Sequence, residues 1–99
     1  MIVYLNGRLC PLEEARIPVT DRGFLYGDAL YENFRVYAGG FYRFEEHYRR
    51  LADGAAALRM PVPGRAEIRR IAGRLAAANG CRDGTLRVTL TRGPGGEGL

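Results

Sequence analysis

The chain has 99 residues, enough for one small domain, with no run apolar enough to span a membrane and no basic-then-apolar leader, so a cytoplasmic location is expected. Its net charge is +4 and its 15 basic residues are all arginines. They are interleaved with acids such as Glu13, Glu14, Glu45, Glu46 and Asp53 and form no basic stripe, which argues against a nucleic-acid partner.

Met1 to Leu5 is a short β-type run, and Asn6-Gly7 suits a type I′ hairpin turn, whose central residues both need positive φ. Arg8 to Leu12 reads as the returning strand, stopped near Pro11. A connector runs through Pro18 to Thr20-Asp21-Arg22-Gly23. Phe24 to Tyr31 mixes aromatics with Gly27 and Asp28, fits no period, and reads as a loop with a short helical turn. From Asn33 the residues alternate, Phe34 and Val36 against Arg35 and Tyr37. Gly39-Gly40 then turns the chain into Phe41 to Phe44, a second hairpin.

Glu45 to Arg59 reads as a helix, with Phe44, Tyr48, Leu51, Ala55 and Leu58 on one stripe and Arg49 and Asp53 opposite; Pro61 and Pro63 end it. Arg65 to Asn79 is a second helix, with Ile68, Ile71, Ala72, Leu75 and Ala78 inward, Arg69, Arg70 and Arg74 outward, and Gly80 as its C-terminal glycine. In the last strand Leu86, Val88 and Leu90 alternate with Arg87, Thr89 and Thr91. A Gly-rich tail, Gly93 to Leu99, follows. The order of elements predicts an α+β domain, a mainly antiparallel sheet with two helices packed on it. Because the chain stops in a loop just after a strand, it reads as truncated.

Cys10 and Cys81 lie far apart with no His or Cys at metal-ligand spacing, so they read as reduced structural thiols and no metal site is expected. The chain contains no lysine. A Schiff base to an aldehyde cofactor needs a side-chain amine, and a guanidinium stays protonated and cannot supply one. No Schiff-base catalytic residue is therefore present.

Three motifs stand in sequence: Asp21-Arg22-Gly23-Phe24-Leu25-Tyr26-Gly27-Asp28-Ala29-Leu30-Tyr31-Glu32-Asn33-Phe34-Arg35, then Glu46-His47-Tyr48-Arg49-Arg50-Leu51, then Leu86-Arg87-Val88-Thr89-Leu90-Thr91-Arg92-Gly93. Their order and spacing resemble the small domain of class IV aminotransferases, the fold-type IV pyridoxal phosphate enzymes. That group includes branched-chain and D-amino acid aminotransferases and aminodeoxychorismate lyases. The resemblance covers essentially the whole chain. It implies that residues 1–99 are a single N-terminal small domain, and that a cofactor-bearing C-terminal domain with the lysine lies outside them. It further implies pyridoxal 5′-phosphate as cofactor, amino-acid and 2-oxo-acid substrates, and a homodimer.

By the same resemblance Arg50 holds the cofactor phosphate. On the helical wheel it flanks the apolar stripe with His47 and Gly54, and Gly54 leaves room for a ligand to approach; the plainer alternative is a surface arginine, as Arg49 is read. His47 reads as fixing a neighbour by a hydrogen bond rather than as a base. Tyr31 matches a residue lining the substrate pocket of its own subunit and Tyr26 one that reaches the neighbour's, though core or hairpin packing would also suit both. Arg87 matches an arginine near the substrate carboxylate in branched-chain aminotransferases, or else is a solvated strand residue. Thr85 departs from that pattern, standing where a pocket tyrosine is usual.

The tail Arg92-Gly93-Pro94-Gly95-Gly96-Glu97-Gly98-Leu99 lacks the Lys and helix of a phosphate loop. It resembles the loop of the lyase-type members, but Glu97 stands where an arginine is typical and cannot clamp a carboxylate. The expected function is thus the N-terminal domain of an aminotransferase. Aminodeoxychorismate lyase is the alternative within the family, and a non-catalytic binding domain the alternative outside it.

Overall fold

The computed structural model describes residues 1–95 of the chain. β1 (Ile2–Leu5) and β2 (Arg8–Pro11) pair antiparallel, with Val3 opposite Cys10 and Tyr4 opposite Leu9. Asn6 and Gly7 make the corner at φ 47° and 100°, as the Asn-Gly pair allows. The returning strand ends at Pro11 rather than Leu12, because Leu12–Glu14 winds into a 3-10 turn.

Asp21 opens α1 (Arg22–Tyr26) by accepting the backbone N–H groups of Gly23 at 2.9 Å and Phe24 at 3.3 Å, and Gly27 at φ 68° closes it. β3 (Ala29–Tyr37) follows as the middle strand of a three-stranded antiparallel sheet, between β4 (Gly40–Tyr42) and β5 (Gly84–Thr91). Here the sequence expectation needs correction: most of Phe24 to Tyr31 is not a loop, and the strand starts at Ala29 rather than Asn33. Leu30, Glu32, Phe34 and Val36 form its inward column. The carboxylate at position 32 breaks the apolar alternation that sequence reading depends on.

α2 (Phe44–Ala57) and α3 (Arg65–Ala78) cover one face of this sheet. Phe44 opens α2 instead of ending a strand, since Arg43 at φ 52° breaks the extended chain. Leu58, expected on the buried stripe, lies past the last turn of α2 and is exposed. Ala78 is exposed as well. The next place on the α3 stripe belongs to Asn79, whose amide accepts the Ile2 N–H at 2.8 Å and donates to the Ile2 carbonyl at 2.9 Å. That exchange docks β1 on the end of α3.

The β3–β4 corner is Ala38 and Gly39, at φ 50° and 80°, not Gly39-Gly40; Gly40 already pairs with Tyr37. The segment between α3 and β5 holds an alanine in this left-handed geometry, because Gly39 N–H donates to the Arg82 carbonyl at 3.0 Å. The core lies between sheet and helices: Phe34, Val36, Phe44, Ile68, Ala72 and Leu86, with the Phe34 and Phe44 rings 5.1 Å apart. The α+β expectation holds, although the strands form two separate sheets and a third, short helix is present. Among the described residues no helix is long and apolar enough to cross a membrane.

α1 sits so close to the end of β5 that a Cβ on Gly23 would lie 2.5 Å from Thr91 Cγ2 and 2.9 Å from Asp21 Oδ2. Gly23→Ala should therefore cost about 1–3 kcal/mol of stability by overpacking. Adding Thr91→Ser, which removes the methyl but keeps the hydroxyl, should restore part of it. Urea denaturation of the three proteins checks this; an unchanged midpoint in Gly23→Ala would refute the contact.

Candidate functional site

Two aspartates fix the geometry at the end of the sheet. Asp21, only 5% exposed, caps α1 and also accepts the Thr91 hydroxyl at 2.8 Å, while Arg22 N–H donates to the Gly93 carbonyl at 2.8 Å. Asp28 accepts Arg22 Nε at 3.0 Å and Arg92 Nε at 2.7 Å, and Arg92 Nη2 reaches the Leu58 carbonyl at 2.7 Å. Arg92 and then Arg22 hold the Asp28 carboxyl below its usual pKa. These bonds tie α1, the start of β3, the end of α2 and the end of β5 into one corner. The resembling Asp-Arg-Gly and Tyr-Gly-Asp stretches thus have structural work of their own.

The centre of the site is Glu32, 3% exposed on the inward face of β3. Its Oε1 receives His47 Nδ1 at 2.9 Å and Arg50 Nη2 at 2.5 Å, and its Oε2 receives Arg50 Nε at 2.7 Å. An ionised carboxylate only accepts, so His47 carries its proton on Nδ1. His47 and Arg50, one turn apart on α2, meet the same carboxylate, and the neighbour-fixing role read for His47 agrees with this. The Arg50 hydrogen bonds, then that of His47, outweigh burial and draw the Glu32 pKa from 4.5 to about 2.

The outer part of Arg50 is open, its side chain 74% exposed, and among the described residues its Nη1 makes no hydrogen bond. It borders a shallow recess walled by Leu30, Tyr31, Glu32, Asn33 and Gly54. The walls come from both faces of β3 because β4 pairs only with Arg35–Tyr37, so among the described residues the strand edge from Ala29 to Phe34 has no partner on that side. A Cβ on Gly54 would lie 3.2 Å from Leu30 Cδ1, so α2 passes close over the strand here.

Tyr31, 55% exposed, stands on the outer face of β3, and the Arg87 guanidinium lies over its ring at 3.9 Å. Two residues nominated separately from sequence are thus in contact, as a cation on an aromatic face. Among the described residues Arg87 has no acidic partner, and stacking leaves its in-plane donors available. Tyr26 ends α1, exposed, with Arg22 over its ring at 5.0 Å, and does not line the recess. Thr85 is exposed on the outer face of β5. Glu97 lies outside the described residues.

A second groove, between the β1–β2 hairpin, α3 and β5, is walled mainly by aliphatic side chains such as Leu5, Ile68, Ile71 and Leu75. Of the nominated residues only Arg87 borders it, and it gathers no cluster of charged groups. Sequence reading passed over Glu32, Asp21 and Asp28. The signal for Glu32 was an acid in the inward register of an alternating strand, which demands buried partners.

The amino-transferase class IV family model matches residues 29–99. A D-alanine aminotransferase of Listeria monocytogenes is 35% identical over 94 residues, covering 94% of this chain and 32% of its own. A solved T.th. branched-chain amino acid aminotransferase, complexed with N-(5′-phosphopyridoxyl)-L-glutamate, superposes with a TM-score of 0.88 at 29% identity, over 98% of this chain and 34% of that one. A 4-amino-4-deoxychorismate lyase from Pseudomonas aeruginosa superposes with a TM-score of 0.72 at 38% identity, over 85% of this chain and 30% of that one. The chain spans about a third of the length of that Listeria relative.

Glu32 makes the fold acid-sensitive. Its folded pKa lies below 4.5, so its stabilisation is fully present above that pH and is lost as the pH falls toward about 2. Glu32→Gln should lower stability at neutral pH by about 2–3 kcal/mol, at or below the usual figure for a broken buried pair because Arg50 reaches water. The gap between wild type and variant should close in that acid window. Denaturation midpoints measured from neutral to strongly acid pH check this, and a gap that stayed constant would contradict it.

Proposed function

Because the chain belongs to the amino-transferase class IV family, we propose that residues 1–99 form the N-terminal small domain of a cytoplasmic pyridoxal-phosphate-dependent aminotransferase, acting on an amino acid and a 2-oxo acid. The family match over residues 29–99 carries this reading. In this proposal a C-terminal domain supplies the lysine that the chain lacks and further phosphate donors.

The donor set fits a phosphate in part. Arg50 offers an unengaged Nη1 at the mouth of the recess, and a guanidinium N–H is a strong donor to a phosphate oxygen. Glu32 occupies the other edge of the fork, so one arginine cannot neutralise the group alone. When bound, the cofactor supplies the electron sink for proton transfer at the substrate α-carbon. The chain's own residues do the binding. Arg50 anchors phosphate, the Tyr31 ring gives an apolar wall, and Arg87, stacked on that ring and without an acid partner among the described residues, attracts a substrate carboxylate.

The likeness to the Pseudomonas lyase at 38% identity supports a second reading, release of pyruvate from aminodeoxychorismate. The full-length protein decides between them when offered branched-chain L-amino acids or D-alanine with 2-oxoglutarate, and aminodeoxychorismate separately. Amino transfer is the expected outcome. Pyruvate formation from aminodeoxychorismate without amino transfer would favour the lyase, and neither activity would overturn the enzyme reading. Arg50→Ala should weaken cofactor binding about ten- to hundredfold, while Arg49→Ala should leave it unchanged.

A homodimer forms part of the proposal. Val19, Phe24, Leu25 and Tyr26 put exposed apolar side chains on and before α1, where a second subunit can cover them. The chain should self-associate in light scattering over a concentration series, and Leu25→Ser with Tyr26→Ser should shift it toward monomer. A wild-type chain that stayed monomeric at high concentration would count against this.

A further inference from the structure

Glu32 contacts neither cofactor nor substrate in the reading above, yet the site's geometry converges on it. We infer that Glu32 is a positioning residue for Arg50: by gripping the Nε–Nη2 edge of the guanidinium it turns the Nη1 side into a fixed donor for a phosphate at the recess. The inference rests on reading Arg50 as the phosphate contact.

An arginine side chain as exposed as this one has many rotamers, and an anion binding it unassisted must order them. Glu32 removes that freedom beforehand. Its carboxylate sits on the middle strand of the sheet, buried, and grips the fork through two parallel bonds that define the guanidinium plane. His47 Nδ1, at 2.9 Å from Oε1, keeps the carboxylate from rotating. The close passage of α2 over Leu30 at Gly54 fixes the base of the Arg50 side chain relative to the strand. Preorganisation of this kind raises affinity by lowering the cost of ordering.

A carboxylate beside an anion site also repels the anion. The two effects have opposite signs, which makes the inference testable. If repulsion dominated, removing the charge would tighten phosphate binding. If Glu32 only stabilised the fold, its loss would weaken phosphorylated and unphosphorylated ligands alike. Positioning predicts a loss confined to the phosphorylated ligand and dependent on Arg50.

The test uses the full-length protein and equilibrium binding of two probes, pyridoxal 5′-phosphate and pyridoxal. Glu32→Gln should weaken the first about three- to tenfold, leave the second unchanged, and have no further effect in an Arg50→Ala background, as coupled residues behave in a double-mutant cycle. Should Glu32→Gln fold poorly, His47→Ala loosens the same carboxylate from a half-buried position. It should lower the preference for the phosphorylated probe about two- to fivefold, again only while Arg50 is present. Arg50→Ala binding both probes like wild type would overturn the Arg50 reading and this inference with it. Arg50→Ala weakened while the Glu32 and His47 variants keep full preference for the phosphorylated probe would overturn the inference alone. Tighter phosphate binding in Glu32→Gln, or equal loss of both probes, would also overturn it.

Discussion

The buried carboxylate of Glu32 sets the terms for the rest of this domain. It stands in the inward column of β3, between Leu30 and Phe34, where every other place is apolar. An ionised group there is tolerated only if its oxygens are satisfied, so α2 must present His47 and Arg50 one turn apart and at the right height. That requirement fixes the rotation of α2 about its axis. The same rotation turns Leu51 and Ala55 into the core and leaves Arg49 and Asp53 in solvent. The ion pair gives α2 one register.

How much of this was legible in the sequence depends on whether a residue's neighbours in the chain are also its partners. Asn6-Gly7, the stripe of α2 and the alternation of β5 are local patterns, and the structure has them close to where they were expected. Their errors fall at boundaries. Leu58 and Ala78 continue a wheel past the point where the helix has anything to pack against. Ala38 takes a corner that glycine would fill more easily, because the Arg82 carbonyl, distant in sequence, holds it there. The candidate site was half legible. The motifs pointed to Tyr31, Arg50 and Arg87, but the contact of Arg87 with Tyr31 is set by strand pairing, which places Asn33 opposite Arg87. Glu32 and Asp21 were passed over because each looks like an ordinary polar residue until its partners arrive from elsewhere in the chain.

Using only arginine as a cation has a consequence for packing. Arg69 lies over Phe44 at 4.9 Å and Phe41 at 5.8 Å, Arg65 over Phe44 at 6.0 Å, and Arg43 over Tyr42 at 5.4 Å. A flat guanidinium can cover a ring while its donors still reach an acid, as Arg65 does with Glu45, whereas an ammonium is a compact point charge. Positive charge is therefore laid out as covers for aromatic rings. Beside the interleaved acids, this placement spreads part of the positive charge over separate rings.

The clamp on α1 spans 70 positions of chain, from Asp21 to Thr91. A five-residue helix has no stability of its own in water, so α1 depends on contacts that exist only once β5 is in place. During synthesis, which proceeds from the N-terminus, the ribosome has to deliver nearly all of these residues before Asp21 can meet its hydroxyl. Until then Phe24, Leu25 and Tyr26 lack the contact with β5 that holds their helix in place. The corner held by Asp21 therefore cannot close before β5 exists.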